Sequence, residues 1–300
     1  MDVVVTGSSG LIGRALKGAL EGAGHRLLPM VRSQASGDAI RWDPDRGEID
    51  AEGLESVGAV VHLAGEGIGN RRWNDAHKAK VKESRSRGTS LLAQTLAKLN
   101  KAPRVLVSGS AVGYYGDRGD EVLTESSRPG SDFLADVCTT WEAATAPAKE
   151  AGIRVAHTRT GIVLSGRGGV LPKMLLPFKF GAGGKLGSGR QWMSWIALED
   201  EVGAIVHLLG DDTLSGPFNL TAPNPVTNAD MTKAIGKVLR RPTFIPAPAF
   251  ALKTALGAEM AEELLLVSQR ALPTRLLDAG YTFRHPEFAE ALKAALSETD

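Results

Sequence analysis

Cysteine is nearly absent from this chain, with Cys138 the only one in 300 residues. No intrachain disulfide can form and no cysteine-based metal cluster can be assembled, which fits a reducing compartment and makes the cytoplasm the expected location. Charge of one sign is lacking too. Lys and Arg number 35 against 34 Asp and Glu, a net +1, so the overall balance leaves no footprint for nucleic acid or an anionic membrane. Long apolar runs are missing as well, since Gly, Pro or charge interrupts each one well short of the roughly 20 residues a spanning helix needs. The first apolar run, Val3-Val4-Val5, begins next to Met1 and leaves no space for a charged and apolar leader, so export is not expected. The expected partner is therefore a small molecule, with no nucleic acid, no membrane and no metal. A homodimer is the candidate assembly.

What is present is an alternation. Short β-branched runs at residues 3–6, 26–31, 39–42, 59–63, 104–108 and 154–159 are separated by helical patterns, as a parallel sheet buried on both faces requires. The clearest helix spans 75–99, where Val81, Leu92, Thr95, Leu96 and Leu99 recur at helical spacing. After Leu164 the texture turns glycine-rich, in the manner of loops over a site. From Asn228 on, helical stretches are broken by Pro242, Pro246, Pro248, Pro273 and Pro286. This predicts a nucleotide-binding domain over 1–165, rejoined by 190–225, and a small lobe over 166–189 and 226–300.

The segment Thr6-Gly7-Ser8-Ser9-Gly10-Leu11-Ile12-Gly13 lies between an apolar strand and an amphipathic helix. In that setting it is a dinucleotide fingerprint. Gly7 permits the tight turn, Gly10 lets backbone approach a pyrophosphate, and Gly13 lets helix pack on strand, with Ser9, Leu11 and Ile12 completing the loop. The fold expected is thus α/β, a Rossmann-type doubly wound parallel sheet with a small, mostly helical C-terminal lobe. An NAD site usually carries an acid about 20 residues further on to hold the ribose. Arg32 stands there instead, at a strand end where its guanidinium suits a 2′-phosphate. The predicted cofactor is NADP(H); the alternative for Arg32 is a solvated strand-end cation.

The glycine spacing, His62-Leu63-Ala64-Gly65 and Ser108-Gly109-Ser110 together resemble the extended short-chain dehydrogenase/reductases over essentially the whole chain. More narrowly the chain resembles their atypical, epimerase-like branch, the NAD-dependent epimerase/dehydratase type with a C-terminal domain of unknown function. Trp42-Asp43-Pro44, Arg72-Trp73, Trp141-Glu142, residues 187–192 and Ser194-Trp195-Ile196 carry that narrower likeness. The resemblance implies that Leu63, Ala64, Gly65, Ser108 and Ile162 line the cofactor. It also implies an Asn three residues before Gly88-Thr89, where this chain has Arg85. Arg85 and Lys80 are candidates for the cofactor phosphates or an acidic substrate; the alternative is a solvated basic helix face.

In the wider family a Tyr followed four residues later by Lys handles the proton. Tyr114, Tyr115 and Tyr281 are followed at that offset by Arg118, Gly119 and His285, so the pair is missing. Ser110 matches the family serine. Tyr114 and Tyr115 are the remaining candidates for a proton donor, or else loop aromatics packing the lobe interface. Glu66 and Glu142 are further acids, with salt bridging as the plainer role. Glu66, Arg190, Gln191, Trp192 and Trp195 are the expected substrate contacts; a structural tryptophan pair is the alternative. Cys138, without a basic neighbour in sequence, is expected to pack its helix. Two functions stand: an NADP(H)-dependent oxidoreductase or epimerase-like enzyme on a small polar substrate, or a catalytically silent NADP(H)-binding sensor or scaffold.

Overall fold

The computed structural model describes residues 1–32 and 37–297. Strand β1 (Asp2–Thr6) leads through the glycine loop into α1 (Leu11–Gly22), followed by β2 (Arg26–Val31), β3 (Ile40–Asp43), β4 (Glu48–Ile49) and β5 (Ala59–His62). Then come α2 (Asp75–Leu96), β6 (Val105–Ala111), β7 (Val122–Leu123), α3 (Phe133–Ala143), α4 (Ala146–Glu150) and β8 (Arg154–Thr160). The chain continues through β9 (Ile162–Leu164), α5 (Leu171–Lys179), β10 (Trp192–Met193), β11 (Trp195–Ala197), α6 (Leu198–Gly210), β12 (Gly216–Leu220) and β13 (Val226–Thr227). It closes with α7 (Asn228–Leu239), α8 (Ala249–Leu256), α9 (Ala258–Ala261), β14 (Arg270–Ala271), α10 (Thr274–Asp278) and α11 (Phe288–Ser297).

Eight strands form the central sheet in the order β12-β8-β6-β5-β1-β2-β3-β4. Every pair in it is parallel except β3 with β4. The chain winds outward from β1 to β2 and β3, then reverses to β5, β6 and β8. The switch point lies between β1 and β5, and ligands in such sheets bind outside the strand C-termini at that crevice. Alternate residues feed opposite faces, as the pleat requires. Val3, Val5, Val61 and Val107 pack under α1 and α6, whereas Val4, Val60 and Leu106 pack toward Leu92 and Leu96 of α2.

All six expected strands are present in this sheet. Two more join it. The outermost strand β12 reads Gly-Pro-Phe-Asn-Leu, a turn-like composition that sequence logic passes over; as the edge strand it can accept Pro217, whose missing N–H breaks no interior ladder. β6 runs past Ser108 to Ala111, so Ser110 lies inside the strand rather than after it.

A third apolar cluster, containing Leu171, Leu175, Met231, Ile235 and Leu292, forms the core of the smaller lobe. The stretch 226–300 does not belong to that lobe alone. Leu276 and Phe283 pack into the core of the main sheet, with α10 against β12. Among the described residues no helix is long and apolar enough to cross a membrane.

Candidate active site

The glycine loop is built by exclusion of side chains. Gly7 has φ +68°, and a Cβ there would come within 3.0 Å of the Leu63 carbonyl carbon. A Cβ on Gly13 would overlap the Gly7 carbonyl oxygen and lie 2.6 Å from Ser8 Cα. Gly10 N donates to Gly7 O at 2.9 Å and closes the turn. Gly10 also serves as N-cap of α1 with no capping side chain, whereas Asn74 and Asp132 cap α2 and α3. The first turn of α1 therefore keeps its N–H groups for an anion. A cleft of about 280 Å³ opens on this loop, lined by Gly7, Gly10, Leu11, Ile12, Gly13, Leu63, Val163, Gly169 and Val170. Backbone this close and this bare fits a dinucleotide pyrophosphate.

Val163, Gly169 and Val170 complete the cleft from beyond β8. Sequence reasoning named Ile162, the neighbour of Val163; Ile162 pairs with Trp195 and packs toward the lobe core. Gly168 and Gly169 lie over the Leu11 side chain, which supplies a reason for glycines in that segment. Arg32 is exposed at the end of β2. Ser9 is exposed, and its carbonyl accepts a bond from Arg14 Nη1 at 2.5 Å. Arg14, one residue past the fingerprint, is thus a further cation beside the loop.

The turn after β5 is held from below. Thr6 Oγ1 accepts from Leu63 N at 3.0 Å and Ala64 N at 3.1 Å, so its own proton goes to His62 Nδ1 at 2.8 Å. His62 Nε2 then donates to Thr89 Oγ1 at 3.0 Å. Burial, assisted by the Arg85 charge, pushes His62 down to about 4 and keeps the ring neutral. Gly65 is exposed beside this turn. Arg85 corrects its expected role as a phosphate ligand. It is buried, donates from Nη1 to Glu66 O and Val81 O at 2.9 and 3.1 Å, and lies 4.9 Å from the Trp141 ring centre. Gly65 rests against the guanidinium. Arg85 supports the 65–66 turn, while Lys80 is exposed on the outer surface of α2.

The proton-handling candidates gather in one buried network. Ser110 Oγ donates to Glu142 Oε1 at 2.7 Å. Arg159, opposite Ser110 in the sheet register, clasps the same carboxylate, Nε to Oε1 at 2.8 Å and Nη2 to Oε2 at 2.9 Å. Burial alone would raise the Glu142 carboxyl, but the Arg159 bonds and charge overcome it and hold the group below the usual carboxylate range. Arg159 Nη1 donates to the Tyr115 oxygen at 3.1 Å and to Glu125 O at 3.2 Å. The Tyr115 hydroxyl donates to Asn219 Oδ1 at 2.6 Å.

These bonds separate the two tyrosines. Tyr115 is fully buried, and burial pushes its phenol up to about 12 despite Arg159. With its oxygen engaged on both sides it is a structural strut, which corrects its candidacy as proton donor. Tyr114 is half-buried, with the Arg159 guanidinium 3.4 Å above its ring centre. Among the described residues its hydroxyl makes no hydrogen bond.

The remaining candidates divide clearly. Ser108 is buried in register with His62 and His157, and its hydroxyl has no partner among the described residues. Glu66 is half-buried, with its main chain held by Ser84 and Arg85. Gln191 and Trp195 are corrections. The Gln191 amide spans Leu186 O and Leu265 O, and Trp195 is fully buried against Phe288; both hold the smaller lobe together. Trp192 donates to Asp120 and lies under Arg270 at the lobe junction, and Arg190 is exposed. Cys138 packs its helix, with burial and the nearby Glu142 charge pushing the thiol up to about 12. Glu201 on α6 escaped notice in the sequence. Among the described residues the only bond to its carboxyl is from Thr160 at 2.8 Å, and burial pushes that carboxyl up to about 8. A larger hollow of about 470 Å³, between residues 49–55 and 95–99, lies at the N-terminal ends of the strands, away from this chemistry.

Fold and cradle define a dinucleotide-binding α/β protein, and the chain belongs to the NAD dependent epimerase/dehydratase family, whose model matches residues 3–239. Residues 247–295 match a domain of unknown function. The chain is 47% identical over 291 residues to an epimerase family protein of Mycobacterium tuberculosis, covering 97% of this chain and 96% of that one. It is 38% identical over 296 residues to human epimerase family protein SDR39U1, covering 98% and 99%. The human protein's crystal structure with NADPH superposes at TM-score 0.91 and 36% identity, over 99% of each chain. A nucleoside-diphosphate sugar epimerase of Corynebacterium glutamicum matches at TM-score 0.83 and 42% identity, over 99% of this chain and 58% of that one.

Proposed function

We propose that this protein is an NADP(H)-dependent oxidoreductase or epimerase-like enzyme that acts on a small polar substrate between its two lobes. The observation that carries this reading is Ser110. Its proton is fixed on a carboxylate that Arg159 keeps ionised, in a region where the sheet brings together the strand ends that flank a dinucleotide cleft. Gly7, Gly10, Leu11, Ile12 and Gly13 would hold the pyrophosphate, Leu63, Ala64 and Gly65 the ribose side, and Arg32 the 2′-phosphate. NADP(H), which the human relative binds, would supply a hydride donor or acceptor.

The chain's own residues would divide the remaining work. Ser110 gives its proton to Glu142 and keeps its lone pairs for a hydrogen-bond donor, so it is set to accept from a substrate hydroxyl. Tyr114, with a cation on its ring and a hydroxyl engaged by nothing among the described residues, is the candidate proton donor. Turnover of NADPH across a panel of carbonyl compounds tests this: Ser110→Ala should abolish it while NADPH affinity stays within about twofold. The rival reading, a silent NADP(H) sensor, rests on the missing Tyr-x-x-x-Lys pair. NADPH binding with no oxidation of any panel member would favour it. Equal affinity for NADPH and NADH would remove the role given to Arg32.

A further inference from the structure

The net charge of +1 hides a strong segregation. From Ala151 to Leu198 the sequence contains no Asp or Glu, and from Met231 to Ala258 again none, while each stretch carries several Lys and Arg. These stretches meet in space. α5 packs against α7, and the segment after α5 pairs with the one after α7 through Ala247 N to Lys185 O and Gly187 N to Ala247 O, both 2.9 Å. Gly184 lies directly against the Ile245 main chain.

The same two stretches hold most of the large apolar side chains that are exposed among the described residues. Phe180 is 80% exposed, Phe244 78% and Phe250 73%, joined by Leu176 and Ile245. On α5, Leu171, Leu175 and Phe178 face inward, which leaves Lys173 and Leu176 on the outer side, and Phe180 follows at the C-cap. α8 has no buried residue at all. Exposed around the phenylalanines are Lys173, Lys179, Lys185, Arg240 and Arg241.

Contiguous exposed apolar surface marks an interaction site. Side chains this exposed protrude instead of lining a cleft, which disfavours a small ligand. A rim rich in Lys and Arg around protruding aromatics, with Glu262 at its margin paired to Lys253 of α8, matches an anionic bilayer, where apolar groups enter the headgroup boundary and Lys and Arg meet anionic lipids. We propose that this face of the smaller lobe docks the protein on the surface of an anionic membrane, with Phe180, Phe244 and Phe250 as anchors. The proposal is independent of any catalytic reading.

Co-sedimentation with vesicles tests it, using phosphatidylcholine alone and phosphatidylcholine with about one-third phosphatidylglycerol. The protein should bind the anionic vesicles at least about tenfold more tightly and release them as salt rises. Phe180→Ser with Phe244→Ser, and separately Lys179→Glu with Lys185→Glu, should each remove most of that binding at an unchanged melting temperature. Protein that stays in the supernatant with anionic vesicles at low salt overturns the proposal. So does an aromatic double variant that sediments like the parent. A concentration-dependent dimer lost in the aromatic variant, without vesicle binding, would instead assign the face to a second copy of the chain.

Discussion

The glycine cradle and the Ser110 cluster stand near the C-terminal ends of β1 and β6, two strands of one sheet separated by β5, but they are held by different means. The cradle is backbone against backbone, with each glycine present because a Cβ would meet main-chain atoms that cannot move. The Ser110 cluster is side chain against side chain, a buried chain of bonds from Ser110 through Glu142 and Arg159 to Tyr115 and Asn219. A backbone-built site is local in sequence and admits a side chain only where main-chain atoms leave room, as they nearly do at Gly10 and do not at Gly13. A side-chain-built site draws on β6, α3, β8 and β12, and its members fail to different degrees when replaced.

The largest expected effect is in the cradle. Gly13→Ala places a methyl group onto the Gly7 carbonyl and should reduce NADPH affinity by more than about a hundredfold, with a stability loss of about 2 kcal/mol or more. Gly10→Ala meets only Gly7 O, at 3.2 Å, so the free protein should lose less than about 1 kcal/mol. Gly18→Ala, on the same helix with nothing within 4 Å, should stabilise by up to about 1 kcal/mol and leave binding intact. Fluorescence titration with NADPH beside thermal unfolding separates the three. Equal effects from Gly13→Ala and Gly18→Ala would break the account of the cradle.

Next comes the ion pair that organises the other half. Arg159→Met leaves the Glu142 carboxylate buried without its cation and should cost about 3–5 kcal/mol, read by urea unfolding at neutral pH. The paired acid and Glu201 should then show opposite pH dependence. Glu142, held below its unfolded value, contributes stability that is present above that value and lost as pH falls through the folded pKa. Glu201 is raised from 4.5 to about 8, so its contribution is full below about 4.5 and lost as pH rises toward 8. Glu201→Gln should therefore gain stability relative to the parent between pH 5 and 8, on the order of a few kcal/mol. A pH-independent difference would mean that Glu201 is ionised in the fold.

How much of this was legible in the sequence follows the same division. The six strands and the cradle could be read because periodicity and glycine spacing are local signals. β12 could not, since Pro217 and Asn219 imitate a turn and only its edge position excuses them. The functions given to Arg85, Tyr115, Gln191 and Trp195 were misread because polar and aromatic residues look alike in sequence whether they face a ligand or a buried carbonyl. Arg159 and Asn219 were missed for a related reason. Each becomes informative only through the sheet register that sets Arg159 beside Ser110 and Asn219 beside Arg159.

The smallest stability effect should come from Tyr114, and its comparison with the adjacent Tyr115 discriminates most finely. Tyr115→Phe removes a buried hydroxyl that accepts from Arg159 and donates to Asn219. Two polar groups lose a partner with no water to replace it, so the loss should be about 1–3 kcal/mol. Tyr114→Phe keeps the ring under the Arg159 guanidinium and removes a hydroxyl that bonds to nothing among the described residues, so stability should change by less than about 0.5 kcal/mol. If Tyr114 donates the proton, its variant loses turnover while folding and NADPH affinity persist, and Tyr115→Phe shows the reverse pattern. Two variants with the same stability loss would place both hydroxyls in the strut and leave the proton to Ser110 and Glu142.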